Sequence, residues 1–247
     1  MKRSEINARM RAAVAFFDAH CFRLPPYAYW SPAEWRAKGH EADEIRRCGM
    51  GWDLTDFGSG DFERVGLLLF TLRNGVPGEE RSTRPYAEKV MIVGVGQVTP
   101  WHYHASKQED IINRGGGDLV IDLSHADAGR RLLDTPVSVS VDGTRRIVPA
   151  RGRVVLRPGE SITLYQGLAH TFQAAHAPAL VGEVSSVNDD RTDNYFIEPV
   201  GRFPAIEPDA EPLYLLCNEY PEAAAGAAAA PAAGAAANET GPGRPPG

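Results

Sequence analysis

The stretch GQVTPWHYHASKQEDIINRGG, residues 96–116, governs how the rest of the chain is read. Within it His102 and His104 stand two apart. On an extended strand residues i and i+2 point to the same face, so both imidazoles can enter one cavity. Glu109 follows after four intervening residues, enough for the chain to turn and bring a carboxylate back. Much later, Gly167-Leu168-Ala169-His170 offers a third imidazole from another strand. Three neutral nitrogen ligands and one carboxylate suit a divalent first-row ion such as Mn, Fe, Co, Ni or Zn. Coordination positions left open would admit a substrate oxygen. A bare H-x-H is more often incidental than a ligand pair. Its weight here comes from the wider spacing, with five residues between Gly96 and the pair and six between Glu109 and Gly116.

Outward from this stretch the chain reads as short β-type runs. Val65–Arg73, Lys89–Val95, Asp118–Leu123, Val137–Val141, Arg146–Ala150, Val154–Leu156, Ser161–Leu164 and Ala179–Val184 are punctuated by Asn74-Gly75, Asp142-Gly143 and Pro158-Gly159. Many close-set strands predict an antiparallel sandwich or barrel. Gly115-Gly116-Gly117 reads as a tight turn between two of them. Ahead of the strands, Ser4–His20 carries Ile6, Met10, Ala13, Val14 and Phe17 at helical spacing. Ser31-Pro32-Ala33-Glu34 has the pattern of a capping box with Pro at the first helical position. The expected organisation is therefore an N-terminal arm of helices and loops over 1–64, packed on a β-barrel over 65–220. The last 27 residues, 221–247, hold 12 Ala, 5 Gly and 5 Pro and are expected to be a disordered tail.

Composition narrows the function. The 32 acidic against 26 basic side chains, a net charge of −6, argue against a broad nucleic-acid surface. No apolar run is long enough to span a bilayer. The N-terminus lacks the apolar core of a secretory signal, and Cys21, Cys48 and Cys217 show no C-x-x-C spacing. A reduced, cytoplasmic location is the expectation.

The spacing from Gly96 to Gly116 is that of the first cupin motif, and Gly152 to Pro158 begins the second, whose ending is stretched before His170. Closer than that superfamily, the chain resembles the D-lyxose isomerases, cupin-type sugar ketol-isomerases, from Met1 to Tyr220. The resemblance is carried by Trp52-Asp53-Leu54-Thr55-Asp56-Phe57-Gly58, Phe70-Thr71-Leu72-Arg73-Asn74-Gly75, Glu109-Asp110-Ile111-Ile112-Asn113-Arg114-Gly115-Gly116-Gly117, Gly201-Arg202-Phe203-Pro204 and Leu216-Cys217-Asn218-Glu219-Tyr220. It implies a mainly β cupin barrel (jelly roll) and a metal site of His102, His104, Glu109 and His170, with Mn2+ the expected ion. It also implies interconversion of D-lyxose and D-xylulose, with D-mannose and D-fructose as a side activity, through a metal-bound enediol. A homodimer acting on a small pentose or hexose, without nucleic acid or membrane, completes the expectation.

Aldose–ketose interconversion needs a proton moved between adjacent carbons, and a carboxylate is the usual base. Glu183 and Glu198 are the candidates, with Glu198 favoured because a polar loop precedes it. Lys89 and Lys107 are candidates for binding sugar hydroxyls or steadying the enediolate. The same ligand set suits two other functions. One is an Fe(II) dioxygenase, which oxygen consumption would distinguish. The other is a sugar-binding cupin without catalysis.

Overall fold

The computed structural model describes residues 1–224. Its framework is one antiparallel sheet in the order β1-β2-β3-β10-β5-β9-β6-β7. Those strands are β1 (Gly51–Thr55), β2 (Leu67–Arg73), β3 (Tyr86–Val93), β5 (Glu109–His125), β6 (Val137–Val141), β7 (Thr144–Val148), β9 (Ser161–Leu164) and β10 (Leu168–Ser186). Off this path, β8 (Gly152–Leu156) pairs with β5, while the two-residue β4 (His102–Tyr103) lies between β10 and β11 (Tyr195–Phe196). Of the sandwich or barrel that the strand pattern predicts this is the barrel, of the cupin type that the resemblance implies. The Asp142-Gly143 turn forms as read, with both residues at positive φ (49° and 76°), as a two-residue hairpin requires.

Strand alternation sorts the apolar side chains into two cores. Leu69, Met91, Val93, Ile111, Ile121, Leu123, Phe172 and Val181 face the barrel interior. Their neighbours Leu68, Phe70, Val90 and Leu180 face the other way, onto α1 (Arg3–Ala19), which contributes Ile6, Met10, Ala13 and Phe17. The second helix, α2 (Pro32–Ala37), has the expected capping box: Glu34 N donates to Ser31 Oγ and the Glu34 carboxylate accepts from Ser31 N. A short third helix, α3 (Asp43–Arg47), leads into β1. Among the described residues no helix is long and apolar enough to cross a membrane, and all three cysteines are free.

Three features differ from the sequence reading. The sheet starts at Gly51, inside the segment expected as a helical arm. β1 is buried at every position, so its Gly-Trp-Asp-Leu-Thr lacks the alternation that marks a half-exposed strand. Gly115-Gly116-Gly117 is not a turn between strands but a kink within continuous β5. Gly116 has a φ of 83°, and a Cβ there would sit 2.2 Å from the Pro178 carbonyl oxygen. Finally, the expected tail lies outside the described residues from 225 onward. Before that point Pro221 O accepts from Arg46 Nε at 2.8 Å.

Candidate active site

His102 and His170 meet because β4 and β10 are antiparallel with these two residues directly opposite. His104 follows two residues on and enters the same space. One ring nitrogen from each of the three lies within 4.8 Å of the others. Each Nδ1 faces a backbone carbonyl: His102 to Pro100 O (2.8 Å), His104 to Asp193 O (2.7 Å) and His170 to Leu168 O (3.1 Å). A carbonyl can only accept, so the proton sits on Nδ1 and the Nε2 lone pair is left for the cavity.

Glu109, at the start of β5, completes the set. Its Oε1 is 3.2 Å from His170 Nε2 and 3.6 Å from His104 Nε2. Burial drives the His102 imidazole well below its ordinary pKa, with His170 and His104 adding to the effect. Burial likewise takes His104 down to about 4. Burial opposes ionisation of Glu109, but the Lys107 ammonium 2.6 Å from Oε2 together with His104 and His170 outweighs it and holds the carboxyl well below the usual range. The imidazoles of His102 and His104, both disfavoured as cations by burial, thus share the cavity with an ionised carboxylate. His170 Nε2 is buried and without a hydrogen-bond donor or acceptor partner. A positive charge between these groups would satisfy them, and the donor set fits a divalent first-row ion.

Beyond Glu109 the cavity wall carries alternating charges. Lys107 Nζ contacts Glu183 Oε1 (2.9 Å), and Lys89 Nζ contacts the same oxygen at 3.2 Å. Lys89 is 3.8 Å from Asp190, which Arg202 also meets at 3.0 Å while pairing with Asp53. Burial opposes ionisation of Asp190, yet Lys89 and Arg202 together hold it far below the ordinary carboxylate value. Leu69, Met91, Ile111 and Phe172 form the apolar floor, with Phe57 and Phe196 among the remaining wall residues.

His102, His104, Glu109, His170, Lys89, Lys107 and Glu183 therefore share one cavity. Glu198 does not join them. Phe196 takes the inward position on β11, Ile197 N is then held by Trp101 O (2.9 Å), and Glu198 emerges exposed. Both lysines point at carboxylates and at Asn188. An ammonium has three N–H donors, and Lys107 meets three acceptors: Glu109, Glu183 and, at 3.2 Å, Asn188 Oδ1. Sequence reasoning missed Asp53, Asp190 and Arg202 as cavity residues. The signal for them was their presence in segments that carry the resemblance, Trp52–Gly58, Asn188-Asp189-Asp190 and Gly201–Pro204.

The family model of D-lyxose isomerase matches residues 1–220. A D-lyxose/D-mannose isomerase of Serratia proteamaculans is 46% identical over 223 residues, covering 89% of this chain and 98% of the relative. A D-lyxose ketol-isomerase of Cohnella laeviribosi is 28% identical over 71% of this chain and 97% of its own length. Among solved structures, the L-ribose isomerase of Cellulomonas parahominis with L-ribose superposes with a TM-score of 0.55 at 18% identity. It covers 84% of this chain and 98% of the other, a likeness of fold.

Proposed function

The chain belongs to the D-lyxose isomerase family and is a sugar isomerase, and from that premise we propose that it interconverts D-lyxose with D-xylulose and D-mannose with D-fructose by proton transfer through an enediol. The observation that carries the mechanism is the Glu183 carboxylate in one cavity with three inward-facing imidazole nitrogens. His102, His104, Glu109 and His170 would hold a divalent ion, Mn2+ being the one the resemblance implies, and such an ion polarises a carbonyl.

Glu183 is the proton acceptor in this reading. Both ammonium contacts fall on its Oε1, which leaves Oε2 to take the C2 proton of the aldose and return it to C1. Lys89 and Lys107 hold that carboxylate in place and supply fixed positive charge where the enediolate gains negative charge. A pentose and a hexose differ by one hydroxymethyl group, worth about 1–3 kcal/mol of discrimination, so acceptance of both is expected. A homodimer in the cytoplasm completes the proposal. Exposed Tyr86 and Val184 on neighbouring strands support the first element, and the free thiols the second.

The test is turnover of D-lyxose in deuterated water with Glu183→Gln and Glu198→Gln beside the parent enzyme. Deuterium should enter the ketose, Glu183→Gln should lose at least about a hundredfold in kcat at unchanged metal content, and Glu198→Gln should retain its rate. Full turnover by Glu183→Gln removes it as the base. Product free of solvent deuterium points instead to a hydride shift.

A further inference from the structure

Two ammonium nitrogens stand side by side in this site, and two oxygens bridge them. One is Glu183 Oε1. The other is the side-chain oxygen of Asn188, which accepts from Lys89 Nζ at 2.8 Å and from Lys107 Nζ at 3.2 Å. The four atoms form a closed ring in which a single carboxylate oxygen and a single neutral amide oxygen separate two positive charges. Asn188 is buried and does not border the cavity that holds the histidines. It borders the adjoining space with Asp190 and Arg202, and its oxygen reaches the catalytic groups through the two lysines.

Asn188 is itself fixed from a distance. It lies just beyond the end of β10, where no ladder partner holds the backbone. Asn74, in the turn after β2, replaces that ladder. Its Oδ1 accepts from Asn188 N at 3.0 Å, and its Nδ2 donates to Asn188 O at 2.9 Å and to Cys48 O at 3.0 Å. Every polar atom of the Asn74 side chain is thus engaged, and two of its three bonds pin the one residue that bridges the lysines.

We infer that Asn188 and Asn74 are positioning residues for isomerisation: Asn188 sets the spacing of the Lys89 and Lys107 ammonium groups against Glu183, and Asn74 holds Asn188 in register. This rests on the reading of Glu183 as the base. Without the amide oxygen the two cations are bridged only by Glu183 and move apart, carrying its carboxylate with them. Geometry at a reacting centre is unforgiving, since a displacement of about 1 Å can cost about a hundredfold in rate.

The test compares Asn188→Ala, Asn188→Asp, Asn74→Ala and the double Ala variant in the metal-loaded enzyme, with kcat, KM, metal content and melting temperature measured for each. Asn188→Ala should lose about tenfold to a hundredfold in kcat with KM and metal content held. Asn188→Asp, which keeps the bridging oxygen, should recover most of that loss. Asn74→Ala should lower kcat in the same manner, and the double variant should fall no further than Asn188→Ala, because the two act in series. Wild-type kcat in Asn188→Ala, equal losses in the Ala and Asp variants, or losses that multiply in the double variant would each overturn the inference. The Asn188 pair carries the test on its own if Asn74→Ala does not fold. Glu183→Gln in the same assay separates the premise from the inference. Its inactivity beside a fully active Asn188→Ala rejects the positioning role alone, whereas its full activity rejects the base assignment on which that role rests.

Discussion

Replacing Lys107 by Met removes the cation that lies between Glu109 and Glu183 while nearly preserving the length and apolar stem of the side chain. The two carboxylates then fare differently. Glu183 keeps Lys89 at 3.2 Å. Glu109, 3% exposed, is left facing only the Nε2 atoms of His104 and His170, whose Nδ1 atoms are taken up by backbone carbonyls. Breaking one side of a buried pair costs about 3–5 kcal/mol. For a domain of this size each kcal/mol moves the melting temperature by about 2–4 °C, so the lower bound of 3 kcal/mol predicts a loss of about 6–12 °C in chelator. Added Mn2+ restores a positive charge beside Glu109 and should shrink the deficit. Scanning calorimetry of the parent and Lys107→Met, each in EDTA and in excess Mn2+, gives four melting temperatures. A deficit that is the same with and without the ion would refute the argument that Glu109 belongs to both the lysine and the metal site.

Three other outcomes follow from neighbouring contacts. Arg202→Lys cannot reproduce the fork to Asp53 and Asp190, and losing a charged hydrogen bond worth about 1.5–3 kcal/mol should lower the melting temperature by about 3 °C or more, read by differential scanning fluorimetry. Asp190 titrates far lower in the folded chain than in the unfolded one, so its contribution is present above about pH 4 and is lost as pH falls below it; the drop in melting temperature between pH 7 and pH 3 should be smaller in Asp190→Asn than in the parent. Truncation after residue 224 should leave melting unchanged, whereas truncation after Tyr220 removes the Pro221 carbonyl from Arg46 and should cost about 1 kcal/mol, or about 2–4 °C.

The metal-site candidates were legible because their chemistry rests on local parity. His102 and His104 share a face whatever strand they occupy, and Glu109 lies close enough in sequence to return to them. The turn at Asp142-Gly143 and the capping box at Ser31–Glu34 were legible for the same reason: each depends on a few adjacent residues. What the sequence hid were contacts set by distant chain segments. Asp53 sits on a strand too uniformly buried to show a period. Arg202 pairs with it and with Asp190 only because the segment after β10 folds back over the cavity.

The choice between Glu183 and Glu198 shows why counting along the chain fails at this site. His170 and Glu183 are 13 residues apart, since 183 − 170 = 13, and an odd separation places two side chains on opposite faces of an uninterrupted strand. On the paired strand β5, however, their partners are Leu123 and Ile111, and 123 − 111 = 12, an even separation. Both partners point into the barrel core. The odd residue is absorbed where the register of β10 against β5 shifts between Ala175 and Ala179 and again at Leu180–Val181, with His176 at a φ of 70°. Such a bulge re-aims every side chain beyond it. It is the irregularity around His176, answered by the kink at Gly115–Gly117, that turns Glu183 inward to the lysines. A single-residue deletion between His176 and Pro178 should therefore do what no conservative change at Glu183 can: keep the carboxylate in the chain and point it out of the cavity. The expected result is a folded protein that retains metal at His102, His104, Glu109 and His170 but has lost turnover. Retained turnover would show that the strand can re-form its bulge elsewhere, and that parity is not what places the base.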